Sequence, residues 1–203
     1  MIDRLAELAG RDVPRETFEK IEAYVSKLIE ASSSQNLIAS STVATIWERH
    51  ILDSAQLVAL APGGSWLDIG SGAGLPGVII AILTAEPVVL LEPRRLRAEF
   101  LERMKDELQL LNVTVVAGKT TALCTTFDKI TARAVAPAPD LFAMAYHLSR
   151  HETVWLLPKG RSAQKELAAT RASWQGQFHL EASRTDAGAS ILVASRVQPR
   201  GKR

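Results

Sequence analysis

The sequence predicts an α/β fold: a mostly parallel sheet covered by helices, preceded by N-terminal helices and closed by an antiparallel C-terminal hairpin. Three observations carry this. From residue 65 onward, short apolar runs alternate with segments of helical period, the pattern of strands joined by crossover helices. The first of these runs, 65–70, ends in glycines that open an apolar helix. The last two runs are separated only by the turn residues Thr185-Asp186-Ala187-Gly188, too short a link for a parallel crossover, so they must be antiparallel neighbours.

Residues 1–60 read as helical. Pro14 suits a first helical turn, where a missing N–H costs nothing. Phe18, Ile21, Val25, Leu28 and Ile29 follow at three- and four-residue steps, one apolar stripe. The polar run Ser32-Ser33-Ser34-Gln35-Asn36 is expected to break that helix. Thr42 is expected to cap a second helix, with Ile46, Trp47, Ile51, Ala55 and Val58 on or near one face. Pro62-Gly63-Gly64 ends it.

The core elements follow in order. Residues 65–70 and 87–92 read as strands, with the apolar helix 75–85 between them. The long helix 94–111 points Leu96, Phe100, Met104, Leu108 and Leu111 toward the core. Strands are predicted at 112–118, 127–135 and 151–160, and helices over 140–150 and 162–174. The closing pair spans 176–184 and 189–197. The tail Gln198-Pro199-Arg200-Gly201-Lys202-Arg203 is basic and expected to fray. About 60 residues make a marginal domain alone. The helical extension 1–60 is therefore expected to pack on a core domain spanning 61–203.

The bulk numbers narrow the function. The chain has 203 residues, 47% of them hydrophobic, ample for a packed core. Its 24 Lys+Arg against 22 Asp+Glu give a formal net charge of +2, too mild to announce a nucleic-acid binder. Any RNA contact must come from a local patch. The single cysteine, Cys124, forms neither an internal disulfide nor a zinc site, and no metal is expected. It reads as a small buried or half-buried apolar residue. The N-terminus lacks a signal-peptide run, and no apolar stretch approaches the ~20 residues that span a bilayer. A soluble cytoplasmic protein with no membrane contact is the expectation, and a monomer.

The sharpest local signal is WLDIGSGAGLPG, residues 66–77. Gly70, Gly72 and Gly74 permit a tight turn and close approach of a ligand. The following helix offers free N–H groups at its start. By glycines alone the run also fits the dinucleotide fingerprint, as Gly72-x-Gly74-x-x-Gly77, and a turn without a ligand stays open. Asp68 weighs against a pyrophosphate and welcomes a cationic ligand with an ammonium and a sulfonium. The pattern D-I-G-S-G-A-G looks like the first motif of S-adenosylmethionine methyltransferases, with Ser71 inside it. Glu92 ends the second strand about 20 residues on, where a carboxylate can accept from both ribose hydroxyls; it can also be a plain strand-end acid. Thr120 and Thr121 follow the third strand, where this fold places adenine.

Outside the loop, further pieces occur in a distinctive order: Asn36-Leu37, the run Arg49-His50-Ile51-Leu52-Asp53-Ser54, the loop from Asp68 to Gly77, Phe100-Leu101, Ala132-Arg133-Ala134 and Leu157-Pro158-Lys159-Gly160. With that combination the chain resembles the ribosomal RNA small subunit methyltransferase G family, also called glucose-inhibited division protein B, from about Asn36 to Val197. The resemblance implies a Rossmann-like methyltransferase fold, S-adenosyl-L-methionine as cofactor, and methylation at N7 of a guanine in 16S ribosomal RNA. It also implies cofactor contacts at Gly70, Leu75, the Thr120-Thr121 pair and Arg133. Two departures stand out. Many relatives carry an acid at the position of Thr121, so only backbone or hydroxyl contacts are implied there. Glu92 stands where others have Asp.

Four residues are candidates for positioning guanine or a phosphate: Arg49, His50, Arg133 and Lys159. Arg49 and Asp53, four apart, can pair on one helical face. His50 reads either as a hydrogen-bonded structural histidine or as a residue facing guanine or phosphate. Arg133 and Lys159 end strands on the ligand-binding edge, where each can meet a phosphate, a guanine oxygen or, for Arg133, the cofactor carboxylate; an ordinary surface arginine is the alternative. Arg94, Arg95 and Arg97 read as solvated helix charges or as RNA contacts. No general base is expected, because guanine N7 carries no proton. A methyltransferase acting on a non-RNA substrate, a dinucleotide-dependent oxidoreductase or nucleotide-sensing module, and a non-catalytic RNA-binding factor remain open at this stage.

Overall fold

The computed structural model describes residues 1–201. The strands β1 (Trp66–Ile69), β2 (Val88–Glu92), β3 (Val113–Ala117), β4 (Phe127–Thr131), β5 (Ser149–Lys159), β6 (Trp174–Ala182) and β7 (Ser190–Pro199) form one seven-stranded sheet in the order β3-β2-β1-β4-β5-β7-β6. The first five run parallel. β7 lies antiparallel between β5 and β6. The predicted hairpin is therefore present, and its second strand is the one that joins the sheet. The chain steps from β1 outward through β2 and β3, then returns to place β4 on the other side of β1. That reversal opens a crevice at the carboxyl ends of β1 and β4, where open α/β sheets take their ligands.

The helices are α1 (Ile2–Ala9), α2 (Arg15–Gln35), α3 (Asp53–Leu60), α4 (Gly77–Thr84), α5 (Arg95–Glu107), α6 (Ala138–Ala145) and α7 (Ala163–Ser173). Strand side chains alternate between two faces. Trp66, Val88 and Leu90 point into one cluster with Val78, Ile79, Phe100 and Leu101 of α4 and α5. Leu67, Ile69 and Leu91 point into the other, with Leu141 and Phe142 of α6 and Leu167 of α7. Strands buried on both faces show continuous apolar runs rather than alternation, as the four residues of β2 before Glu92 do. Ile21, Tyr24 and Leu28 of α2 and Leu5 and Leu8 of α1 belong to the first cluster. Each fully buried leucine or isoleucine there contributes about 1.5–3 kcal/mol.

Several local expectations fail for identifiable reasons. Pro14 stands one position before α2 rather than within it. The polar run ends α2 only at its last residues: the hydroxyls of Ser32, Ser33 and Ser34 turn back to carbonyls of their own helix, and the helix stops at Asn36 with φ 47°. Ile29 is exposed, and Tyr24 takes its place on the buried stripe. Thr42 caps no α-helix. It lies inside a 3-10 turn, Ser40–Thr45, followed by a π-helix, Trp47–Leu52, before α3 begins. Leu96 and Leu111 are exposed, whereas Leu101 and Leu110 are buried. Leu96 sits in the first turn of α5, and Leu111 follows the left-handed Gln109, φ 52°, where the chain has left the helix. The helix predicted over 140–150 is α6 plus a 3-10 turn, Tyr146–Leu148, and Ser149 already belongs to β5. Cys124 is exposed. Of the predicted frayed tail, Gln198 and Pro199 lie within β7; Lys202 and Arg203 fall outside the described residues. Among the described residues no helix is long and apolar enough to cross a membrane.

Candidate active site

The glycine loop joins β1 to α4 at the crevice. Its first residues hang from the end of β2, because Gly70 N–H and Ser71 N–H both donate to the Leu91 carbonyl, at 2.7 and 3.1 Å. The loop then folds on itself through Gly74 N–H to Ser71 O at 2.7 Å. Gly70, Gly72 and Gly74 hold φ of 68°, 57° and 91°, left-handed values that side chains resist. Gly77 is required by space instead: a Cβ there would run into the Leu90 side chain and come within 2.7 Å of Asp68 Oδ2. From below, α2 braces the loop. The Tyr24 hydroxyl, fully buried, donates to the Ala73 carbonyl at 2.6 Å.

Two carboxylates flank the loop in different states. Glu92, 3% exposed, accepts Gly72 N–H on Oε2 and Arg94 N–H on Oε1, both at 2.8 Å. Each oxygen keeps a further lone pair. Asp68 is buried, and its Oδ2 accepts Gly77 N–H at 3.1 Å. Its Oδ1 is buried with no hydrogen-bond partner. Burial raises the Asp68 carboxyl to about 7, and Glu92 adds to this; the Gly77 N–H, Ser71 and Arg133 oppose it. A buried carboxylate oxygen without a partner is costly, and an ammonium would satisfy it. The chemistry of the loop thus fits a cationic amino-acid cofactor with a ribose, and disfavours a pyrophosphate at Asp68. Thr120 and Thr121 lie in a 3-10 turn after β3. The Thr120 hydroxyl donates to the Met144 carbonyl at 2.9 Å, leaving its backbone as the means of contact, and Thr121 is exposed.

Beside the loop lies a cleft of about 710 Å³, walled by Leu37–Thr42, the π-helix, the segment after β4 and the β6–β7 turn. Arg49, His50, Arg133 and Lys159 all line it, so the four candidates from sequence do converge. Their partners differ from expectation. Arg49 does not pair with Asp53 but with Asp186 at 2.7 Å, across the hairpin turn. Both residues turn instead to the β6–β7 turn, Arg49 to Asp186 and Asp53 to Thr185. Asp53 instead accepts from Gln56 and Thr185 on Oδ1, at 2.9 and 3.0 Å. Lys159 is 8% exposed at the side chain and held by Glu166 at 2.9 Å and the Ala136 carbonyl at 3.0 Å. That leaves Arg133 the least neutralised cation of the cleft: its nearest carboxylate, Asp53, stands 3.7 Å away. Val135, 39% exposed, borders both regions, lining the cleft and overhanging Gly70, where a Cβ would lie 2.7 Å from its γ-carbon.

Comparison with known proteins agrees with this architecture. The family profile described as rRNA small subunit methyltransferase G matches residues 17–189. The chain belongs to the rRNA small subunit methyltransferase G family. A methyltransferase G of Rhizorhabdus wittichii is 46% identical over 201 residues, covering 96% of this chain and 92% of its own length. The Sphingopyxis alaskensis methyltransferase G is 47% identical over 194 residues, covering 92% and 83%. Among solved structures, a ribosomal protein L11 methylase of Lactobacillus delbrueckii aligns with TM-score 0.59 at 15% identity, over 73% of this chain and 78% of its own. An O-methyltransferase of Bacillus cereus aligns with TM-score 0.59 at 16% identity, over 85% and 90%. At such identities the structures establish the shared fold.

Sequence reasoning missed Tyr24, Asp186, Glu166 and Val135. Tyr24 had a signal: it lies three residues after Ile21 on the apolar stripe, and a buried tyrosine needs a partner for its hydroxyl. Asp186 and Glu166 had none, since their partners Arg49 and Lys159 are 137 and 7 positions away. Arg94 and Arg97 form no ion pair among the described residues, and Arg95 pairs with Glu99 at 3.2 Å along its own helix.

Proposed function

We propose that this chain transfers the methyl group of S-adenosyl-L-methionine to N7 of a guanine in 16S ribosomal RNA. One juxtaposition in a methyltransferase G chain supports the reading. The loop with the unpartnered Asp68 oxygen and the cleft containing Arg133 meet at Val135, which lines the cleft and overhangs Gly70.

When bound, S-adenosylmethionine supplies a methyl carbon already activated by its sulfonium and departs as a neutral thioether. Asp68 Oδ1 takes the ammonium. Glu92 uses its remaining lone pairs for the ribose hydroxyls, and the backbone at Gly70, Ser71, Gly72, Gly74 and Leu75 gives the close approach. Leu75 contributes backbone only, because its side chain is in the core. Thr120 and Thr121 meet adenine through main-chain groups. Arg133 orients the guanine or its phosphate. Lys159 fixes the segment after β4 through the Ala136 carbonyl rather than touching RNA.

Guanine N7 has an in-plane lone pair and no proton, so no residue removes one. Catalysis rests on alignment and on exclusion of water by Val135 and the loop. The base must be unstacked to enter, from a single-stranded loop or by flipping. As positive charge passes to the guanine ring, Asp53, which lines the same cleft beside Arg133, is the carboxylate that would ease it.

The test is transfer of labelled methyl from S-adenosylmethionine to small-subunit RNA lacking the modification, with protein-only and RNA-free controls. Label in RNA alone is expected. Label only in protein, or cofactor binding without any transfer, would overturn the reading.

A further inference from the structure

Arg133 is held by contacts that also settle the state of His50. A guanidinium has only donors. Arg133 Nη1 lies 3.2 Å from His50 Nδ1, so Nδ1 must carry a lone pair and the single ring proton sits on Nε2. His50 Nε2 is 2.9 Å from Thr42 Oγ1, which can accept it. The Thr42 hydroxyl in turn donates to the Ala39 carbonyl at 2.7 Å. Every proton in this chain of contacts has one consistent place: Arg133 to His50, His50 to Thr42, Thr42 to Ala39.

His50 is the only side-chain acceptor within hydrogen-bond distance of Arg133 among the described residues; the Arg49 carbonyl lies at 3.4 Å. Asp53 at 3.7 Å supplies charge but no direction, and its Oδ1 is already engaged by Gln56 and Thr185. The geometry points to His50 as the positioning residue of the acceptor cleft: its neutral, Nε2-protonated ring fixes the Arg133 guanidinium for guanine or phosphate. The role of Arg133 toward RNA rests on the function proposed above; the state of the ring does not.

The surroundings keep the ring neutral. Burial, then the Arg133 and Arg49 cations, lower its pKa to about 4. Of the anions nearby, Asp186 is engaged by Arg49, and Asp53 is shared between Thr185 on Oδ1 and Arg133, 3.7 Å from Oδ2.

Two measurements test this. The first is a long-range nitrogen–proton correlation spectrum of the free protein with labelled histidine, assigned through His50→Asn. A protonated Nε2 and bare Nδ1 that persist from pH 8 to pH 5 are expected. A protonated Nδ1, or titration near 6.5, would overturn the inference whether or not the protein methylates RNA. The second compares two variants. His50→Asn returns an amide oxygen near the Nδ1 position; His50→Gln places its amide near Nε2 and leaves Arg133 without its acceptor. His50→Gln should lose on the order of tenfold to a hundredfold in kcat/KM for RNA, with S-adenosylhomocysteine binding unchanged. His50→Asn should recover most of that loss. Equal activity of the two variants would overturn the positioning role, while inactivity of the wild-type chain would instead sink the proposed function. The spectrum of the wild-type protein decides the inference even if a variant fails to fold.

Discussion

Replacing Asp68 with asparagine should stabilise the free protein at high pH and weaken its hold on cofactor. Asp68 is 1% exposed and has one oxygen without a partner. Its carboxyl rises from 3.8 to about 7, which corresponds to roughly 4 kcal/mol against the charged form. The folded state holds this proton more tightly than the unfolded chain. Stability from this group is therefore complete below pH 3.8 and is lost progressively as the pH climbs to about 7. The Asp68→Asn variant would keep an acceptor for Gly77 N–H and remove the charge, but leaves a buried amide group unpaired at about 1–3 kcal/mol. The net gain at pH 8.5 is about 1–3 kcal/mol, and it vanishes or reverses at pH 4.5. Urea unfolding of both proteins at the two pH values reads this directly. Calorimetry with S-adenosylhomocysteine supplies the other half. Loss of a charged hydrogen bond to the ammonium should weaken binding to Asp68→Asn by roughly tenfold to a hundredfold, and wild-type affinity should rise with pH through about 7. A stability difference that is the same at both pH values, together with unchanged affinity, would refute this reasoning.

Other substitutions separate the roles of neighbouring groups. Tyr24→Phe strands the buried Ala73 carbonyl and should cost about 1–3 kcal/mol in thermal unfolding, with several-fold weaker S-adenosylhomocysteine binding and unaltered RNA affinity. Lys159→Met leaves Glu166 without its cation and should destabilise by about 3 kcal/mol, yet leave the salt dependence of RNA binding as it is. Arg133→Ala, in contrast, should flatten the slope of log affinity against log salt by about 0.7–0.9 if it meets a phosphate, measured by RNA titration at several ionic strengths. An unchanged slope would assign Arg133 to the base instead.

Much of the fold could be read from sequence because parallel strands buried on both faces leave unbroken apolar runs, as in β2 before Glu92. The apolar helix α4 and the closing hairpin were equally legible. What stayed hidden depends on backbone geometry or distant partners. Arg49 and Asp53 look paired from their spacing, but each is taken by a distant partner in the hairpin turn, Asp186 and Thr185. The break expected over 32–36 falls at its last residue, Asn36, because the hydroxyls of Ser32 to Ser34 bond back to helix carbonyls. The glycines and both loop carboxylates were visible as motif residues. That Asp68 keeps a bare oxygen while Glu92 is engaged by two backbone N–H groups was not. Lys159 read as a free cation because nothing local reveals Glu166 one helix turn into α7.

The proposed acceptor is one atom of one base. Small-subunit RNA lacking the modification, treated with the purified protein and S-adenosylmethionine, should be cleaved after borohydride reduction and aniline at a single guanine, the signature of N7-methylguanine. Incorporated methyl without such cleavage, or cleavage spread over many guanines, would contradict it.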